Sequence, residues 1–254
     1  MYPYFILIGL PAFFGLFTNR QTQGGIGLLF VLVIFTGLIG LRYDIGPDWF
    51  AYTMQAERLP VMPFGELVAQ GEFGWSLVAI ICDQLGLGVQ GLAFISALVF
   101  VAGVVAVARS VEEPMLAVIA AVPYLSIAVA MSGMRQATAM GIIFIAVGFW
   151  YRLPLWGRIA LILFASTFHF TALALLFVVA LEADLKPIAK GAAAAAVFVI
   201  VLYFVTVTDF RIDRYAENYF GEGGAANAEG AFLHVALTGV PCIVYFMFRG
   251  RWIE

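Results

Sequence analysis

Eight uninterrupted apolar stretches recur along the chain, at residues 2–17, 25–41, 89–108, 115–130, 137–150, 159–181, 188–207 and 232–248. Most approach or reach the ~17–25 apolar residues that carry an α-helix across a bilayer. A soluble domain buries one core and has no use for such runs repeated from end to end. Composition agrees: 63% of the 254 residues are hydrophobic and 11% charged, against about 25% charged in soluble domains, and mean hydropathy is +1.01. The runs are continuous rather than alternating, which selects helices over barrel strands. The expectation is an all-α polytopic membrane protein, a single transmembrane domain over residues 1–254. It has about eight transmembrane helices and two polar loops, at about 42–72 and 208–231.

The stretch 73–88 is weaker, because it holds Trp75, Cys82, Asp83 and Gln84; it reads as an interfacial or re-entrant helix. The first run lacks a basic flank and a small-residue cleavage site, so it reads as a retained helix rather than a signal peptide. Cys82 and Cys242 lie in apolar segments and read as small buried hydrophobes. With two histidines, His169 and His234, and no paired thiols, a histidine-rich metal site is excluded, and no metal or cofactor is expected. Net charge −3 without a basic stripe argues against nucleic acid.

Loop charges give a partial topology. Segments 19–24, 152–158 and 249–254 are short and net basic, which suits the cytoplasmic side. Each long polar loop carries two Arg against five acidic residues. Placing the first outside puts the N-terminus outside. Simple parity then puts 132–135 outside and the second long loop inside. A break of the 159–181 run at Ser166-Thr167-Phe168-His169, or one re-entrant neighbour, brings both long loops outside together.

Four polar interruptions carry the chemistry. The first runs from Arg42 and Tyr43 through Asp44, Gly46, Pro47, Asp48 and Trp49 to Tyr52. Pro47 suits a first helical position, so Asp48 is expected in the first turn and on one face with Tyr52. There the helix end favours the ionised carboxylate, able to orient an arginine, bind a sugar hydroxyl or act as a base. A membrane-surface helix with interfacial aromatics accounts for the same residues. The second, Ser132-Gly133-Met134-Arg135-Gln136, opens an apolar helix. With Ser132 as N-cap, Arg135 falls near the third position, where a cation opposes the helix dipole. An anion at the same terminus would reconcile the two; snorkelling or pairing with a loop carboxylate is the structural alternative. The third is His169 beside Ser166, Thr167 and Thr171. At membrane depth it needs a bundle interior or polar cavity, although a satisfied core histidine would look the same. The fourth spans 209–219, where a helix would align Arg211, Arg214, Tyr215, Asn218 and Tyr219 on one broad face, or the charges form surface ion pairs. His234 reads as packing.

In order, Arg42-Tyr43 with Gly46-Pro47-Asp48-Trp49 and Tyr52, Ser132-Gly133-Met134-Arg135-Gln136, Phe168-His169-Phe170-Thr171-Ala172-Leu173 and Arg214-Tyr215 resemble the EpsG family of exopolysaccharide polymerases. That family is similar in role to the Wzy O-antigen and capsule polymerases. The resemblance covers roughly 41–219. Family members are usually longer, so it also implies a chain shorter than typical at its C-terminal end.

The resemblance implies a multi-pass protein of the bacterial cytoplasmic (inner) membrane that transfers glycan on its outer face. A glycan on undecaprenyl pyrophosphate would pass to a second lipid-linked repeat unit, releasing the carrier pyrophosphate. It implies a metal-independent glycosyltransferase, with Arg135, His169 and Asp48 as catalytic candidates. Arg135 is the first choice for stabilising the leaving pyrophosphate, and His169 or Asp48 would accept the hydroxyl proton. Arg42, Tyr52, Gln136, Arg211, Arg214 and Tyr215 are the substrate-binding candidates. The partners implied are the polyprenyl-pyrophosphate-linked glycan, membrane lipid, and a chain-length regulator or other polysaccharide assembly proteins. A transporter or flippase of lipid-linked sugar, or a non-catalytic membrane subunit, is the competing reading. An intramembrane protease is disfavoured, with no Ser nucleophile motif and no His-x-x-x-His pair.

Overall fold

The computed structural model describes residues 2–69, 71–182 and 186–207. The first of two compact units, Met1–Phe204, holds everything that follows; of the second, Val205–Glu254, only the last residues of one helix are described.

Among the described residues every regular element is helical. Helix α1 (Tyr2–Phe17) is followed by a short α2 (Arg20–Thr22), capped by Asn19, whose Oδ1 accepts the Thr22 N–H at 2.8 Å. A π-helical turn, Gln23–Gly27, leads into α3 (Leu28–Gly40). At the turn's end Gly27 faces Phe14 and Met115, which a Cβ would meet at 3.0–3.3 Å. The first polar loop then folds into α4 (Trp49–Arg58) and α5 (Phe64–Ala69), and α6 (Phe73–Gln84) precedes the long α7 (Gly88–Ala108).

Helix α8 (Pro114–Ala121) begins with proline, whose missing N–H costs nothing at a first turn. It widens into a π-helical stretch, Val122–Ala130. Pro123 accounts for this: inside a helix it removes a donor and its ring crowds the preceding turn. Next come α9 (Met134–Gly148), α10 (Leu155–Ser166), a 3-10 segment Phe170–Leu175 continuing into α11 (Leu176–Glu182), and α12 (Pro187–Val207).

Among the described residues two helical spans, Arg20–Gly40 and Gly88–Ala108, pass as long and apolar enough to cross a membrane. The chain is thus an all-α protein of membrane-compatible character. Packing rests on small residues that let backbones touch, as is usual where lipid removes the hydrophobic drive between helices. α7 and α9 run parallel: Ser96 Oγ, two turns into α7, donates to Met134 O at the start of α9 at 2.7 Å, and Gly148 meets Ala106 near their ends. Between these points Gly103 and Gly141 bring the two backbones together, and a Cβ on Gly141 would lie 2.4 Å from the Val99 carbonyl. α3 runs against α7, with Gly40 pressed on the Phe94 backbone and Gln90 Nε2 donating to the carbonyls of Gly40 and Arg42.

These contacts sort the helix ends into two sets. At one end Arg20 pairs with Glu113 at 2.5 Å. There too Glu182 takes Arg158 at 3.0 Å and the Trp150 indole N–H at 2.6 Å. The other end gathers the C-terminus of α3, both ends of α6, and the starts of α7 and α9. Helix α6 has 12 residues and runs from the break at Thr167 to the start of α7. The 159–181 run is divided: α10 stops at Ser166, Thr167–His169 lie outside any helix, and the chain turns back through Phe170 to Glu182. One apolar run is two antiparallel legs, the break anticipated at Ser166–His169. The loop 208–231 and the run 232–248 lie outside the described residues.

Candidate functional site

The loop after α3 turns tightly, with Asp44 at φ +50° and Gly46 at φ +101°. Gly46 is required twice over: its φ lies where side chains strain, and a Cβ would sit 2.3 Å from the Met131 carbonyl. The loop is thereby laid against the turn that starts α9. Helix α4 begins at Trp49 with Asp48 as its N-cap residue, later than Pro47 suggested. Asp48 sits before the first turn, and its carboxylate turns outward to another segment. Ser132 Oγ donates to Asp48 Oδ2 at 3.0 Å. Ser132 is therefore not the N-cap of α9: Gly133 holds that position without a side-chain cap, and Arg135 is the second helical residue.

One turn into α4, Tyr52 is buried, and its hydroxyl accepts the Arg135 backbone N–H at 3.3 Å. It thus satisfies a donor that a helix start leaves without a partner in its own helix. Burial pushes the Tyr52 phenol up, with the nearby Arg135 charge opposing. Its ring meets Trp75 of α6 edge-on at 5.5 Å, and the Trp75 indole donates to Gln55 Oε1 at 3.0 Å. Helix α6 is seated on the break in the opposite legs, where the N–H groups of Gly74 and Trp75 reach the Thr167 carbonyl at 3.0 and 3.4 Å.

The residue leading into α6, Glu72, links the two strongest candidates. Its Oε2 pairs with Arg135, and its Oε1 lies 2.9 Å from His169 Nδ1. Side-chain exposure is 37% for Arg135, 20% for His169 and 13% for Glu72, so the arginine faces outward over a carboxylate that sits deeper. Arg135 is thus paired with a loop carboxylate, the structural alternative to an anion bound at the start of α9. Glu72 was visible in the sequence only as the last acidic residue of the first polar loop. The usable signal was a carboxylate directly abutting an apolar segment.

Asp48, Tyr52, Arg135 and His169 are thus brought to one end of the bundle. Arg42 lies on the same loop but is 5% exposed. It donates to Ile39 O at 2.6 Å and stands over the Trp49 ring at 5.7 Å, while its Nε and one terminal nitrogen are buried without partners. Burial pulls its guanidinium down to about 10, which leaves it charged at neutral pH. Gln136 is exposed, with Oε1 folded toward Gly133. Arg211, Arg214 and Tyr215 lie outside the described residues, as do His234 and Cys242. Among the described residues no three His, Cys, Asp or Glu side chains gather as a metal site would require.

Chemically, the arrangement offers an outward guanidinium, a helix N-terminus, an imidazole held by a carboxylate, and a second carboxylate nearby. Such a set can stabilise a developing phosphate charge and accept a proton. A family model described as the EpsG family matches residues 26–254. No curated protein and no solved structure matches the chain.

Proposed function

The chain belongs to the EpsG family, and from that premise we propose that it polymerises undecaprenyl-pyrophosphate-linked oligosaccharide units into exopolysaccharide. The supporting observation is the gathering of Arg135, His169, Asp48 and Tyr52 at one end of the helices. In the reaction a hydroxyl of the acceptor unit attacks the anomeric carbon of the donor glycan. The new C–O bond forms as the bond to the carrier pyrophosphate breaks. Arg135 and the α9 N-terminus meet the charge that develops on the leaving diphosphate, and His169 or Asp48 takes the hydroxyl proton. Direct displacement of this kind inverts the anomeric carbon. Arg42, Tyr52, Gln136 and the late Arg211, Arg214 and Tyr215 are assigned to substrate, and the scheme calls for no metal or cofactor.

The site end is assigned to the outer face of a bacterial cytoplasmic membrane. Arg20, Arg109, Arg152 and Arg158 cluster at the opposite end, as cytoplasmic loops do. The partners proposed are the lipid-linked glycan, surrounding lipid, and a chain-length regulator or other polysaccharide assembly protein.

The test is to supply purified protein with lipid-pyrophosphate-linked repeat units and measure chain extension, with Arg135→Ala and His169→Ala alongside. Extension by the wild type and a loss of about 100-fold or more in each variant is expected. Movement of the lipid-linked unit across the membrane without extension would favour a flippase and sink the polymerase.

A further inference from the structure

Glu72 stands between two side chains that the proposed reaction needs, and the chemistry of a carboxylate restricts what each can do. An ionised carboxylate only accepts hydrogen bonds. The imidazole nitrogen facing it at 2.9 Å, Nδ1 of His169, must therefore carry the proton whenever the ring is neutral. Its other nitrogen, Nε2, is then left with a free lone pair. Which ring nitrogen is basic is set by the bond the other one makes.

Several features hold the carboxylate in place. Its second oxygen is engaged by Arg135, so it cannot rotate away without breaking an ion pair. The chain just beyond it is clamped by the hydrogen bonds from Gly74 and Trp75 to Thr167 O, two residues before His169 itself. A Cβ at position 74 would fall 2.3 Å from Thr167 Oγ1, so glycine there allows the close approach. Glu72 and His169 are 97 residues apart in sequence, yet they are fixed by neighbouring contacts between the same two segments.

We infer that Glu72 is a positioning residue that fixes His169 as the Nδ1-protonated tautomer, making Nε2 the atom that accepts the proton of the attacking hydroxyl. The proton-accepting half rests on the polymerase reading above; the tautomer does not. In the step, the hydroxyl O–H electrons form the new bond to the anomeric carbon and the proton passes to Nε2. The electron pair of the breaking bond leaves with the diphosphate. The resulting imidazolium donates through Nδ1 to Glu72, whose charge stabilises it.

The experiment uses the full chain in lipid nanodiscs with 15N-labelled histidine, at a pH where the imidazoles are neutral. A His234→Asn variant assigns the two rings. The expected wild-type spectrum shows a proton coupled to His169 Nδ1 and none on Nε2. In Glu72→Ala the ring should revert to the Nε2-protonated form favoured by unconstrained imidazole, and kcat for chain extension should fall about 10–100-fold with KM changed only a few-fold. Glu72→Asp, too short to reach both partners, should fall between. A wild-type His169 protonated at Nε2 would overturn the inference, as would Nδ1 protonation that persists in Glu72→Ala. If the alanine variant does not fold, the wild-type spectrum decides alone. A Nδ1-protonated His169 in a protein that extends no chain would sink the polymerase reading and leave the tautomer assignment standing.

Discussion

Ser132 Oγ and Asp48 Oδ2 meet at 3.0 Å across 84 residues of sequence, tying the loop after α3 to the turn before α9. The bond is exposed, so it contributes about 0.5–1.5 kcal/mol at most. Ser132→Ala should shift the melting midpoint little and keep most chain extension. Asp48→Ala should cost a similar amount of stability but at least about tenfold in activity, as expected when a carboxylate also serves the reaction. Equal, small effects from both variants would reduce Asp48 to a strut.

Gly141 predicts where the fold tolerates no added carbon. A Cβ there would meet Val99 O, Val99 C and the Phe100 Cα at 2.4–2.7 Å, all backbone atoms that cannot step aside. Gly141→Ala should destabilise by about 1–3 kcal/mol, as overpacking does, read as a lower thermal midpoint in detergent. Gly37→Ala makes the control: nothing lies within 4 Å of its Cβ position, so it should be neutral or slightly stabilising.

Arg42 predicts opposite signs for stability and activity. Its guanidinium is buried, with two nitrogens that have no partner, and an apolar replacement of similar volume is commonly neutral or stabilising by about 1–4 kcal/mol. Arg42→Met should hold or raise the melting midpoint while weakening the use of lipid-linked substrate. A lower midpoint would show that the Ile39 bond and the Trp49 contact outweigh the cost of burying the charge.

Sidedness is testable with single cysteines in a background where Cys82 and Cys242 are serine. Tyr43 and Tyr151 are 78% and 92% exposed and lie at opposite ends of the bundle. A membrane-impermeant thiol reagent added to intact cells should label Tyr43→Cys and spare Tyr151→Cys until the membrane is opened. Labelling of Tyr151→Cys in intact cells would reverse the orientation.

Periodicity and charge made the helices legible, including the break at Ser166–His169, because a polar residue inside an apolar run is costly unless a helix ends or reaches an interface there. They also brought Asp48, Tyr52, Arg135 and His169 to notice. Other features depended on tertiary partners that no local pattern announces. Ser132 looked like an N-cap, yet its hydroxyl reaches Asp48 and Gly133 holds the cap position, while α4 starts at Trp49, beyond the Gly46 turn that packs on Met131. The π-helical stretch follows from Pro123, whose effect within a continuous apolar run is invisible to hydropathy. Glu72 was missed for a similar reason. A loop carboxylate is ordinary in sequence, and its role exists only because two helix starts and a helix break converge on it.

Short legs surround the site. Helix α10 has 12 residues and α9 has 15, so at about 1.5 Å per residue they extend only about 18–22 Å, well short of a hydrocarbon layer of about 30 Å. Hydrophobic mismatch of this size is relieved by thinning the bilayer or by flanking side chains reaching outward. The membrane beside the site is therefore expected to be pinched, which shortens the distance from lipid to the polar groups. Chain extension should accordingly depend on acyl-chain length, rising in bilayers of shorter lipids and falling in thicker ones, so that the lipid matrix itself tunes the proposed reaction.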